Sequence, residues 1–112
     1  MRYLMFVATD TEPDTSTEPP PDIEVWVADV ESRGKWVTGD RLRPVGDAVT
    51  VRVRSGELLI TDGPFTESKD WICGFDVLEC DDLDEAIEIA AKHPMARHGR
   101  LELRPFWPMD EG

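Results

Sequence analysis

The chain has 112 residues, 40% of them apolar, with 12 Lys and Arg against 24 Asp and Glu and a formal net charge of −12. That is the size of one ordinary domain with a real core, and its acidic field repels phosphate backbones and anionic lipid, so direct nucleic-acid binding is not expected. The longest unbroken apolar run, Leu4 to Ala8, is far short of the roughly 20 residues that span a bilayer and too short for the apolar part of a secretory signal. The expectation is one cytoplasmic domain over residues 1–112 with no membrane segment.

Charge is nonetheless uneven. Between Arg33 and Arg54 stand Arg33, Lys35, Arg41, Arg43, Arg52 and Arg54 against only Asp40 and Asp47, which leaves room for a local anion site. His93 and His98 are the only histidines and no further ligand type clusters with them at metal-like spacing, so no metal or other cofactor is expected. Cys73 and Cys80 lie an odd number of residues apart in one strand-like run, which puts them on opposite faces. Both read as small buried apolar residues.

In chain order, Arg2 to Ala8 is a strand with two apolar faces, Tyr3/Met5/Val7 and Leu4/Phe6/Ala8, which fits the middle of a sheet. Residues 10–22 hold four prolines and no apolar periodicity, and read as an extended loop. From an N-cap at Asp22, residues Ile23, Trp26, Val27, Val30 and Val37 share one helical face, which predicts a helix ending near Gly39 unless Gly34 ends it earlier. Val49, Val51 and Val53 alternate with Thr50, Arg52 and Arg54 at the period of a half-buried strand. Ser55-Gly56 then reads as a two-residue hairpin turn into a strand from Glu57 to Thr61.

Trp71 to Cys80 is a further strand, with Gly74 and Leu78 on one face and Asp76 as the polar exception among them. Asp82 and Glu85 form a capping box for a helix whose apolar face is Leu83, Ala86, Ile87, Ala90 and Ala91, with Lys92 and His93 solvated at its end and Pro94 as its stop. Arg100 to Phe106 is the last strand, and residues 107–112 form a tail. This order predicts an α+β, ferredoxin-like sandwich, both helices lying on one face of a mainly antiparallel sheet. If Val49, Val51, Val53, Leu101 and Leu103 face the helices, Arg52, Arg54, Glu102 and Arg104 join one apolar face of the first strand on the open side. That mixed face predicts a homodimer.

The hinge Thr61-Asp62-Gly63-Pro64-Phe65, with Glu67 and Lys69, then Gly74-Phe75, then Asp81 to Ala86, then Glu102-Leu103-Arg104-Pro105, resembles in order and spacing the YCII-related, or DGPF-domain, family over nearly the whole chain. The resemblance implies a dimeric α+β barrel in which two ferredoxin-like sheets enclose clefts between subunits. Some relatives resemble small lyases or dehydrochlorinases acting on oxygenated ring compounds, with a His–Asp pair for proton transfer. Related domains are attached to sigma factors of the extracytoplasmic type. Asp62 matches the family's acidic position, whereas residues 1–92 contain no histidine to accompany it.

Two roles are open to Asp62: a brace that accepts backbone N–H groups in the turn, or a general base at a strand end. His98 serves as a replacement acid/base only if the fold brings it to Asp62. Arg52 and Arg104 either form interface ion pairs, Glu102 being available, or orient the carboxylate of a small anionic metabolite. Pro64 belongs to the turn, Phe65 to the core, and Glu67 with Lys69 to a solvated loop pair. Two functions follow: a dimer-cleft lyase or isomerase without cofactor, or a non-catalytic accessory domain acting beside a transcription regulator through protein contacts.

Overall fold

The first helix stops well before Gly39, and the rest of the topology follows from that. In the computed structural model, which describes residues 1–63 and 71–111, α1 spans Ile23–Ser32 with the Asp22 carboxylate accepting from Glu24 N–H at 2.9 Å. Gly34 adopts φ +70°. Around it Lys35 N–H bonds back to Val30 O at 3.1 Å and Gly34 N–H to Glu31 O at 2.9 Å, the Schellman closure that a left-handed glycine permits. The chain then enters β2, Trp36–Arg41. Val37, expected on the helical face, sits instead at an irregularity in the pairing of this strand.

Strands β1 (Arg2–Thr9), β5 (Ile72–Glu79) and β6 (Gly99–Pro105) complete a four-stranded sheet of order β2-β5-β1-β6. Every neighbour pair in it is antiparallel. With α1 between β1 and β2, and α2 (Leu83–Ala91) and the short α3 (Met95–His98) between β5 and β6, the arrangement is ferredoxin-like α+β. β1 lies inside the sheet, as its two apolar faces require.

β3 (Val49–Arg54) and β4 (Glu57–Asp62) form the expected hairpin. Positive φ at Ser55 and Gly56 suits the turn type that matches strand twist. They do not join the main sheet, however, but pair only with each other. Val49, Val51 and Val53 therefore do not face the helices and are about three-fifths exposed, as are Leu58 and Ile60. The alternation was a true strand signal, but the four-stranded sheet already had its second strand in Trp36–Arg41.

The core lies on one side of the sheet, between Tyr3, Met5, Val7 and Leu78 and the helical residues Trp26, Val30, Ala86, Ile89 and Ala90. Leu101 and Leu103 pack against it from β6. Trp26 Nε1 donates to Ile89 O at 2.8 Å and ties α1 to α2. Asp82 caps α2 by accepting from Glu85 N–H at 2.8 Å, while Glu85 returns its bond to Asp81 N–H at 2.9 Å. The buried stripe of α2 is Ala86, Ile89 and Ala90. Leu83 and Ile87 are half-exposed, a rotation of roughly one position from the face expected.

Loop residues before α1 are fastened to α3. Arg97 donates to Asp14 Oδ2, Pro19 O and Glu18 O at 3.1, 3.0 and 2.6 Å, and Asp14 N–H donates to Arg97 O at 2.8 Å. None of the helices among the described residues is long and apolar enough to cross a membrane.

Candidate functional site

Strand register decides what faces the helices beneath α1. Tyr3, Leu78 and Trp36 stand in one row across β1, β5 and β2; Met5, Asp76 and Gly39 in the next; Val7, Gly74 and Arg41 in the third. Two of these rows contain a glycine, so the sheet floor lacks side chains where α1 crosses it. A cavity of about 310 Å³ results, roofed by Ile23, Trp26 and Val27 and bounded by Cys73, His93 and Met95.

Asp76 is the carboxylate in that floor. Trp36 Nε1 donates to its Oδ1 at 2.9 Å. Gly39 makes room for it: a Cβ added there would stand 2.7 Å from Phe75 O and closer still to Asp76 Oδ1. Burial pushes the carboxyl from an ordinary 3.8 up to about 6, the Trp36 hydrogen bond offsetting only part of this. Such a group is still mostly ionised at neutral pH but is a stronger base than an ordinary carboxylate, which suits it to take up and return a proton.

His93 borders the same cavity and is 5% exposed, not solvated as its place after α2 suggests. Its ring meets Trp26 edge-on at 4.8 Å between centroids. Nδ1 accepts the Met95 backbone N–H at 3.0 Å, which puts the proton of the neutral imidazole on Nε2. Burial lowers its pKa from 6.5 to about 4. His93 is therefore a neutral hydrogen-bond donor at physiological pH. The helix-end dipole that stabilises an exposed imidazolium is outweighed here by the cost of burying the charge.

The residues expected to form a site lie elsewhere, and none of Asp62, His98, Arg52 and Arg104 lines this cavity. Asp62 ends β4 opposite Val49 and is exposed. Among the described residues no backbone N–H donates to its carboxylate. The turn is fixed instead by Gly63 N–H to Ala48 O at 2.7 Å and Thr50 Oγ1 to Gly63 O at 2.8 Å, with Gly63 at φ +101°, a conformation that glycine adopts without strain. Arg52 is on the other face of the hairpin, opposite Leu59. Arg104 faces the open side of the main sheet beside Leu4, and His98 is exposed at the end of α3. Pro64, Phe65, Glu67 and Lys69 lie outside the described residues.

Asp76 was marked in the sequence as the polar exception in an apolar strand face, a signal that finds a half-buried carboxylate without saying what surrounds it. His93 carried no such mark. Its burial depends on the packing of Trp26, which no local pattern reveals.

Residues 1–110 match the family model described as the YCII-related domain. The chain is also similar to an uncharacterised protein of Rhizobium meliloti (strain 1021), with 40% identity over 68 residues. That stretch is 59% of this chain and 55% of the relative, so the chain spans about half the length of the protein it matches.

Proposed function

Starting from the chain's membership of the YCII-related domain family, we propose that it binds a small organic molecule with an apolar body in the cavity under α1 and moves a proton at Asp76. One observation carries this reading: a carboxylate with a pKa near 6, held by an indole N–H, in the floor of a mostly apolar hollow. Neutral His93 offers Nε2–H as a second hydrogen-bonding group at the same hollow. Together they suit proton abstraction and return in a lyase or isomerase step, with a carboxylate as base and an uncharged donor to stabilise developing negative charge.

A deuterium-exchange screen tests this. Small cyclic ketones are first selected in H2O by shifts of the Trp36 indole N–H resonance, and those that bind are then added to the protein in D2O. Deuterium incorporation next to the carbonyl with the wild-type chain, lost in Asp76→Asn, supports the reading. Ligands that bind without exchange in either protein would reduce the domain to a binding module.

We further propose a homodimer formed across the open sheet face. Leu4, Phe6 and Phe75 line that face half-buried, beside the already buried Val77, opposite the side on which the helices pack. Pairing would bury this apolar surface and complete the dimeric α+β barrel. Phe6→Asp should then convert a dimer into a monomer in light scattering at micromolar concentration. A wild-type monomer would remove the proposal.

A further inference from the structure

Cations of this acidic chain are largely engaged: Arg33 with Glu88, Lys35 with Asp81 and Glu85, Arg43 with Asp47, Lys92 with Glu88, Arg97 with Asp14. Among the described residues Arg41 is an exception, as are Arg52, Arg54 and Arg104, and of these four Arg41 is the one that borders the Asp76 cavity. It is the last residue of β2, in the row of Gly74 and Val7, and among the described residues its guanidinium meets no carboxylate, although Asp and Glu outnumber Lys and Arg by 24 to 12.

Its position is what matters. Arg41 lines the Asp76 cavity and also a second cleft of about 520 Å³, which contains Thr9 and Trp71. The two hollows share Arg41 and Cys73. Trp71 is half-buried, yet among the described residues its indole N–H has no acceptor, whereas an indole N–H taken from water ordinarily finds one. Thr9 Oγ1 accepts the Trp71 backbone N–H at 2.8 Å, which leaves its hydroxyl proton available to donate. The outer cleft thus gathers donors without acceptors, and the inner cavity gathers apolar walls. Asp40, the other carboxylate beside the inner cavity, turns one oxygen back to the Arg41 backbone N–H at 3.1 Å.

We propose that Arg41, aided by Trp71, holds the anionic end of a ligand whose apolar body occupies the Asp76 cavity, so that the ligand class is a small amphiphilic carboxylic acid. This rests on the reading of that cavity as a ligand site. A planar guanidinium recognises a carboxylate through two parallel hydrogen bonds, and an anion at the outer cleft leaves the apolar body directed toward Asp76.

Phenylacetate and phenylacetamide, alike in shape and different in charge, provide the test. Dissociation constants are read from the indole N–H resonances of Trp36 and Trp71. The acid should bind about ten-fold more tightly than the amide, the scale of one charge-assisted hydrogen bond. Arg41→Gln should abolish that preference by weakening the acid far more than the amide. Equal affinities in the wild type, or a preference that survives Arg41→Gln, would overturn the role of Arg41 while an amide-induced shift at Trp36 still upheld the cavity. Failure of both compounds to move Trp36 would overturn the cavity reading and this inference with it.

Discussion

Replacing Asp76 by Asn should make the protein more stable at neutral and alkaline pH. The carboxyl is raised from 3.8 to about 6 in the folded chain, so between those values the folded state holds more protons than the unfolded one, and stability falls as pH rises through the window. A shift of that size corresponds to about 3 kcal/mol for a fully buried group. Asp76 is only partly screened from water, which reduces the figure to about 1–2 kcal/mol. Asn keeps an acceptor for Trp36 Nε1 and carries no charge to desolvate. Relative to wild type, Asp76→Asn should therefore gain about 1–2 kcal/mol between pH 4 and pH 8, or about 3–8 °C in Tm.

His93 acts with the opposite sign. Its pKa falls from 6.5 to about 4, so its contribution to stability is complete above the upper value and is lost as pH drops toward the lower. The two groups offset one another in the wild type over nearly the same range. Asp76→Asn should remove that offset, so that stability rises more steeply with pH than in the wild type. Urea unfolding of both proteins at pH 4, 5, 6, 7 and 8 measures this, and parallel stability profiles would refute the desolvation argument for Asp76.

Gly39→Ala drives a methyl into Asp76 Oδ1 and Phe75 O and should cost about 1–3 kcal/mol, with loss of the downfield Trp36 indole signal in NMR. Leu78→Ala, at a fully buried position, should cost about 3 kcal/mol in chemical denaturation. Arg97→Ala removes the bonds to Asp14, Glu18 and Pro19, so amide hydrogen exchange should accelerate in residues 12–20 while α2 remains protected.

Much of the fold was legible because its signals are local. Asp82 with Glu85 marked the start of α2, Ser55-Gly56 marked the hairpin, and the two apolar faces of Arg2 to Ala8 marked an interior strand. The boundary of α1 was misread because Val37 fits a helical period. Gly34 carried the competing signal, and the left-handed turn there prevails. That one reassignment turns Trp36–Arg41 into the second sheet strand and leaves the hairpin outside the sheet.

The candidate site was legible only in part, for a physical reason. Asp76 stood out in its strand, but its partners Trp36, Gly39 and His93 come from separate elements and meet only through register and packing. Asp62, by contrast, belongs to a conspicuous motif at the base of the hairpin, where the backbone of Gly63 and the hydroxyl of Thr50 hold the turn.

The central claim is that Asp76 is a desolvated carboxyl poised to exchange a proton in the cavity under α1. Carbon-13 NMR titration of its side-chain carboxyl measures this directly. A midpoint near 6 is expected from its burial; a midpoint at the ordinary 3.8 would mean that water solvates the group freely, and would contradict the account.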